Sequence, residues 1–273
     1  MRKFENVKIK RALTIFTLFT LFTLLSSHEF WLSPDKFIYQ RTEKTTIRFL
    51  VGENFEGENW KGNNEKIQSL KLYYGGVSDD LTKYIGNQEG DSLEMMILDE
   101  GINVVAYNSK NSFIQLEGKK FNDYLQEDGI SDALEFRREN NELDGIGREQ
   151  YQRCAKTIFQ VGKITDKTFS VNTNLPLEII PLSNPYLVKK NDSLAAKIIF
   201  QNYPLDNYVI KIWHRDNDST IQIEMLTNEN GEIKFPVSPS GKWMISLVKM
   251  ERLIKNDKAD WQSYWGSLTW GYE

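Results

Sequence analysis

The sequence has 273 residues, of which 40% are hydrophobic, 26% charged and 12% aromatic. Domains usually contain about 100–200 residues, so this length allows one large domain or two smaller ones, and the composition excludes a disordered, collagen-like or low-complexity chain. The formal net charge of −4 leaves no excess of basic residues of the kind that binds a phosphate backbone, so nucleic acid is set aside as a partner.

The N-terminus has the pattern of a secretory signal peptide. Basic residues precede an uncharged, mostly apolar stretch at 12–25, and the small residues Ser26 and Ser27 follow it. This stretch is shorter than the roughly 20 apolar residues that cross a bilayer. We therefore expect residues 1–27 to be a cleaved signal peptide that leaves a periplasmic or secreted chain without stable membrane insertion. An uncleaved membrane anchor is the alternative.

Strand patterns dominate the first part of the mature chain. Alternating apolar and polar positions, rich in β-branched and aromatic residues and bounded by turn residues, are typical of strands. The segment 99–101, which contains Gly101, predicts a hairpin turn. Strands are expected at 45–51, 67–74, 92–98, 102–107, 112–116 and 156–161.

The region of about 119–150 is the exception, and its periodicity predicts a short helical insertion. Phe121, Tyr124 and Leu125 lie on one face of a predicted helix. Ser131 is a suitable N-cap for a second helix.

From about residue 170, short strands follow one another with turn residues about every 8–12 positions, a pattern typical of an immunoglobulin-like sandwich. Asn230-Gly231 predicts a hairpin between two of these strands. We predict a mainly β fold with two β-sandwich, immunoglobulin-like domains, at 28–168 and 169–273, and the helical insertion in the first. The strands of the second domain are expected at 177–182, 194–200, 208–213, 220–226, 232–235, 242–248 and 264–270.

Motifs of the common enzyme classes are absent from the sequence. It has no Gly-rich phosphate loop, no G-x-S-x-G, no C-x-x-C and no H-E-x-x-H, so we predict a non-enzymatic protein. The single cysteine, Cys154, is expected to be a buried packing residue. Asp216 and Asp218 resemble the start of a calcium loop but lack its later ligands, so this segment is predicted to be a turn.

His28 is the candidate metal ligand, because cleavage after Ser27 makes it the mature N-terminus. Its α-amine and imidazole would then chelate one metal ion, in a geometry that suits Cu(II) or Ni(II). His214, near the end of a predicted strand, is the candidate for a third nitrogen. The alternative from residue types alone is an exposed first residue and an ordinary strand-end histidine.

Six blocks of sequence in order along the chain carry a family resemblance. They are HEFWLSP at 28–34, FNDYLQEDG at 121–129, REQYQRCAK at 148–156, LEIIPLSNP at 177–185, GKWMI at 241–245 and DWQSYWGSLTW at 260–270. With these blocks the chain resembles the DUF4198 family of uncharacterised secreted proteins, which is grouped with periplasmic components of cobalt and nickel transport systems.

The resemblance implies a non-enzymatic periplasmic protein that binds or presents a divalent transition metal for uptake, Ni or Co, with Cu as a further option. Its implied partner is a metal-uptake transporter or an outer-membrane receptor. His28 matches the family pattern. The His-Met pair that members often carry after the G-x-W-x-I strand is replaced here by Lys249-Met250, and a protonated lysine is a poor metal ligand.

A second hypothesis is a metal-free cell-envelope protein whose sandwich loops bind a polysaccharide or a protein partner. A copper oxidase-like enzyme with an N-terminal histidine needs a second positioned imidazole, for which only His214 remains. The aromatic residues Trp261, Tyr264, Trp265 and Trp270 near the C-terminus are expected to pack in the core rather than to stack a ligand.

Overall fold

The computed structural model describes residues 29–90 and 92–272. The predicted signal peptide at 1–27 and the candidate ligand His28 lie outside the described residues. Within them, strands predominate and two α-helices occur, which confirms the predicted mainly β class with a short helical insertion. Neither α-helix of this part of the chain has the length and apolar character that a bilayer crossing requires.

The elements carry the following labels in chain order. The strands of the first part are β1 (Glu29–Pro34), β2 (Ile38–Tyr39), β3 (Lys44–Glu53), β4 (Glu56–Asn59), β5 (Ile67–Tyr74), β6 (Val77–Asp80), β7 (Leu93–Met96), β8 (Gly101–Ser109), β9 (Ser112–Leu116) and β10 (Gly147–Val161). The helices are α1 (Gly118–Glu127) and α2 (Ser131–Glu139). The later strands are β11 (Leu177–Pro181), β12 (Ser193–Phe200), β13 (Tyr203–Pro204), β14 (Val209–Asp216), β15 (Ser219–Leu226), β16 (Glu232–Pro236), β17 (Lys242–Arg252) and β18 (Trp261–Gly271).

Within the described residues these strands form three sheets. The central sheet has the order β15-β14-β17-β18-β10-β8-β5-β6, and β2 and β9 also pair with β10. The N-terminal sheet contains β1, β3, β4 and β7, and the C-terminal sheet contains β11, β12, β13 and β16. Both small sheets pack on the central one.

The parallel pairing of β10 with β18 joins the early and late strands of the chain. It runs from Glu149 opposite Trp261 to Thr157 opposite Thr269. On its other side β18 pairs with β17 along its whole length, while β10 pairs with β8. Strands from both sides of residue 168 therefore take part in one sheet, and the division into two domains at that residue stays a prediction.

The central sheet is covered on both faces at β10. Ala155 and Phe159 pack with the N-terminal sheet, whereas Cys154 and Ile158 pack with the C-terminal sheet, because successive side chains of a strand point to opposite faces. Cys154 is 1% exposed, which confirms its predicted role as a packing residue. Burial raises the pKa of its thiol to about 12.

A buried ion pair ties β10 to β11, and further hydrogen bonds of its carboxylate reach the segment before β11. Lys156 Nζ donates to Glu178 Oε1 at 2.8 Å, and both side chains are almost wholly enclosed. The same oxygen accepts from the backbone N–H and the hydroxyl of Thr173, and Oε2 accepts from the N–H of Leu175. These bonds satisfy a carboxylate that burial would otherwise penalise, and they hold the connection between β10 and β11 against the core.

The helical insertion packs on the ends of β17 and β18. Phe121 and Leu125 of α1 share a cluster with Met250 and Trp261. Trp261 and Trp270 are 2% and 0% exposed, which confirms the predicted core packing for these two residues. Tyr264 and Trp265 are partly buried and pack against the core clusters.

Two predicted hairpins are wrong. The segment at 99–101 leads from β7 to β8, but β7 pairs with β3 while β8 pairs with β5 and β10. The turn at Asn230-Gly231 joins β15 to β16, which lie in different sheets. The chain turns as expected at Asn230-Gly231 and then crosses to another layer, whereas the segment between β7 and β8 passes from the N-terminal sheet to the central sheet without a turn. The predicted turn at Asp216 and Asp218 is confirmed, because it connects the paired strands β14 and β15.

Candidate functional site

An open cleft of about 1370 Å³ lies where the N-terminal sheet stops covering β10. Tyr151 and Arg153 lie on the same face of β10 as Ala155 and Phe159, since side chains two residues apart share a face. The N-terminal sheet covers Ala155 and Phe159. Tyr151 and Arg153 remain half-buried and line the cleft.

The β3–β4 hairpin forms another wall of the cleft. A Cβ atom on Gly52 would lie 1.9 Å from the carbonyl oxygen of Glu56, so only glycine permits this close approach of the two strands. Asn54 and Phe55 make the turn with φ values of 53° and 58°. The ring of Phe55 is buried 5.5 Å from the ring of Trp31, and this contact anchors the hairpin on the core.

Aromatic rings surround the guanidinium group of Arg153. Its Cζ atom lies 5.1 Å from the ring centroid of Phe30, 5.8 Å from that of Trp60 and 5.0 Å from that of Tyr151. Stacking of this kind covers the faces of the planar group and leaves its in-plane N–H donors available. Among residues 29–90 and 92–272, no carboxylate pairs with this group and no acceptor takes a hydrogen bond from it.

Acidic side chains lie on the hairpin side of the cleft. Glu56 and Glu58 of β4 both line it. Glu56 Oε1 lies 2.6 Å from Arg215 Nη2, so its charge is matched by β14. Glu58 is exposed. The cleft therefore has carboxylates on the β3–β4 hairpin and a guanidinium group on β10. The side chains of Lys61, Lys66, Asn59 and Asn111 also line it.

The candidate ligand His214 lies on β14, away from the cleft. Its Nε2 is 3.0 Å from the carbonyl oxygen of Ser240, and its ring stacks on Trp243 with 4.0 Å between centroids. Trp243 belongs to the core beneath the C-terminal sheet. Trp213, the preceding residue of β14, packs on the opposite face with β1. His214 thus faces the C-terminal sheet, and β1 lies across the other face.

In the described ranges, no three His, Cys, Asp or Glu side chains come together as a group that could hold a metal ion. His28 lies outside these ranges, so the metal-binding roles of His28 and His214 stay predictions. At the position where family members often carry a His-Met pair, Lys249 Nζ lies 5.1 Å from the ring centroid of Tyr208. Met250 is buried beneath the helical insertion.

A buried charge cluster holds the first described residue of β1. Lys211 Nζ donates to Asp128 Oδ1 at 2.9 Å and lies 3.9 Å from Glu29 Oε1. Burial raises the pKa of Glu29 to about 7, against the opposing effect of the Lys211 charge. The cluster joins the start of β1 to β14 and to the end of α1.

A second buried carboxylate, Glu149, lies between α1 and β18. Its Oε1 accepts hydrogen bonds from the hydroxyl of Tyr124 at 3.2 Å and from the hydroxyl of Ser263. Trp265 Nε1 donates to the same Ser263 hydroxyl at 3.1 Å. Burial raises the pKa of Glu149 to about 7, although the hydrogen bonds oppose this rise. Because Glu149 is enclosed and does not line the cleft, its role is structural.

The family model described as "Domain of unknown function (DUF4198)" matches residues 25–251. The chain belongs to the DUF4198 family. This match confirms the family resemblance of the sequence, and the description assigns no activity. No curated protein matches this DUF4198 chain.

Solved structures that resemble this DUF4198 chain do so weakly. Salmonella alpha-2-macroglobulin reacted with methylamine is 9% identical with a TM-score of 0.23, over 89% of this chain and 15% of that chain. The FN1–FN3 domains of chicken CNTN1 are 8% identical with a TM-score of 0.21, over 87% of this chain and 66% of that chain. The chain thus spans a small fraction of the macroglobulin and about two thirds of the CNTN1 fragment.

The residues of the cleft were not singled out in the sequence. Tyr151 and Arg153 lie in the polar segment before the predicted strand at 156–161, and Trp60 lies in a stretch without strand periodicity. The available signal was the i, i+2 spacing of Tyr151 and Arg153, which places both on one face of a strand. That signal has meaning only once residues 147–155 are known to continue β10.

The raised pKa of Glu149 predicts a pH-dependent stability. The folded protein retains a proton on Glu149 between pH 4.5 and about 7 that the unfolded chain releases, so stability falls as pH rises through this window. Each pKa unit is worth about 1.4 kcal/mol, so the loss due to Glu149 is about 3 kcal/mol. In urea denaturation across this pH range, Glu149→Gln should remove that loss.

The matched control is Glu139→Gln, which changes an exposed residue of α2. This variant should retain the pH dependence of the wild type. The same pH dependence in Glu149→Gln and in the wild type would contradict the assignment.

Proposed function

We propose that this DUF4198 protein is a secreted, non-enzymatic binding protein of the cell envelope whose cleft binds a polysaccharide. The observation that carries the proposal is the combination, on one strand, of a half-buried aromatic ring, Tyr151, with the ring-stacked guanidinium group of Arg153. Sugar rings pack their C–H groups on aromatic faces, and their hydroxyl groups bond to amides and charged side chains.

The position of these residues supports binding by a rigid surface. β10 pairs with β18 at both Tyr151 and Arg153, and with β9 as far as Tyr151. The backbone N–H of Arg153 donates to the hydroxyl of Ser109 at 2.8 Å. A preorganised surface binds with a smaller entropic cost than a loop that must become ordered. The cleft is open, so it suits an extended chain better than a small molecule that needs to be enclosed.

The buried carboxylates favour a role without catalysis. Glu29 and Glu149 have raised pKa values, as catalytic acids often do, but neither lines the cleft. Each is bonded to neighbours that fix a strand or helix in place.

Replacement of Tyr151 by alanine tests this function. Loss of its ring removes a packing surface for sugar and one of the rings around Arg153, so Tyr151→Ala should bind polysaccharide about tenfold more weakly, equivalent to about 1.4 kcal/mol. Affinity electrophoresis in gels that contain neutral or uronic acid-containing polysaccharides measures the change.

Tyr203→Ala is the control, because Tyr203 is 75% exposed and lies on β13 in the C-terminal sheet. It should migrate like the wild type in every gel. Equal retardation of Tyr151→Ala and Tyr203→Ala, or no retardation of the wild type by any polysaccharide, would contradict cleft binding.

A second candidate function is binding of Ni(II), Co(II) or Cu(II) at the mature N-terminus, for delivery to an uptake transporter or outer-membrane receptor. The observation that favours it is the position of Glu29, which pairs with Gly52. Gly52 lines the cleft. His28 precedes Glu29 in the chain. Cleavage after Ser27 would therefore leave a chelating α-amine and imidazole one residue from β1, tethered so that the second bond forms at high effective concentration.

Two measurements test the metal function. N-terminal sequencing of the secreted protein should begin at His28. Calorimetric titration with Ni(II) should show about one site, lost in His28→Ala and retained in His214→Ala, because His214 faces the C-terminal sheet. Equal Ni(II) affinity in the wild type and His28→Ala would exclude this site.

A further inference from the structure

The charge distribution in the cleft points to the kind of polysaccharide that it selects. We propose that the ligand is an acidic polysaccharide in which uronic acid residues alternate with neutral sugars, with one uronate carboxylate on the guanidinium group of Arg153. This inference rests on the proposed binding of polysaccharide and adds the chemistry of the ligand.

Arg153 is the residue that favours a carboxylate as ligand. Its guanidinium group is half-buried among three rings, and no described residue accepts a hydrogen bond from it. The cleft is open, so the donors of this cation are accessible to a ligand. A carboxylate matches the in-plane N–H donors of arginine with two parallel hydrogen bonds and supplies the missing charge.

The ring of Tyr151 lies beside this guanidinium group. The guanidinium carbon of Arg153 and the ring centroid of Tyr151 are 5.0 Å apart. In a uronic acid the carboxylate is bonded directly to the sugar ring, so a single residue can place its carboxylate on Arg153 and its ring edge beside Tyr151. A neutral hexose would leave the N–H donors of Arg153 with hydroxyl acceptors alone, and these form weaker hydrogen bonds than a charged group does.

The carboxylates of β4 form an acidic side of the cleft. Glu58 of β4 lines the cleft and forms no ion pair with a described residue, whereas the carboxylate of Glu56 is paired with Arg215. Lys61 and Lys66 also line the cleft, so it can accept more than one uronate. A polymer with a carboxylate on every sugar would nevertheless bring negative charge against Glu58. A polymer with neutral sugars between its uronates can place neutral residues there and still reach Arg153.

Calorimetric titration of the mature protein with oligosaccharides of hyaluronan, which alternate glucuronic acid and N-acetylglucosamine, tests the inference. The matched ligand is the same oligosaccharide after reduction of its carboxyl groups to alcohols. The reduced form should bind about 10- to 100-fold more weakly, the range expected for hydrogen bonds to a charged group. Oligogalacturonate, which is charged on every sugar, should also bind more weakly than the alternating ligand.

Arg153→Gln should bind the native oligosaccharide with the low affinity of the reduced one and show no further loss with the reduced ligand. Arg153→Lys keeps the charge but not the planar donors, and should lie between the wild type and Arg153→Gln. If Arg153→Gln fails to fold, the comparison of native, reduced and uniformly charged ligands on the wild-type protein decides the question.

The outcomes separate this inference from the function on which it rests. Equal affinity for the native and carboxyl-reduced ligands would overturn the acidic ligand while polysaccharide binding stands. Tighter binding of oligogalacturonate than of the alternating ligand would overturn the alternation. Absence of binding to these ligands, together with no retardation by any polysaccharide in the gels, would overturn both proposals.

Discussion

The parallel pairing of β10 with β18 is the interaction on which the rest of the structure depends. It joins strands that are separated by more than a hundred positions, and it brings β17 and β14 into the same sheet as β8 and β5. The N-terminal sheet and the C-terminal sheet then pack on opposite faces of β10. Parallel strands are usually buried on both faces, and this pair follows that rule from Cys154 onwards.

The candidate cleft is a consequence of the same strand. β10 extends beyond the region that the N-terminal sheet covers. On this face, side chains in its first half are therefore only partly buried. Tyr151 and Arg153 lie there, and both pair with β18 on one side. On the other side Tyr151 pairs with β9, and the N–H of Arg153 donates to Ser109 Oγ. The guanidinium group of Arg153 stacks there on Phe30, Trp60 and Tyr151.

Local patterns in the sequence predicted the elements well and their pairing poorly. The helical insertion follows from the apolar face at Phe121 and Leu125, and the turns follow from glycine and asparagine, because these signals act over a few residues. The partner of each strand depends on distant residues, which is why the segment at 99–101 and the turn at Asn230-Gly231 connect different sheets instead of forming hairpins. The early part of β10 lacks apolar alternation and becomes a strand through its pairing with β9 and β18, so the cleft could not be predicted.

Differential scanning calorimetry of the mature protein tests the central claim most directly. If the pairing of β10 with β18 unites the early and late strands in one sheet, unfolding should occur in a single transition whose calorimetric and van't Hoff enthalpies agree. Two separate transitions, or a calorimetric enthalpy well above the van't Hoff value, would show that the parts of the chain before and after residue 168 unfold independently and would contradict this account.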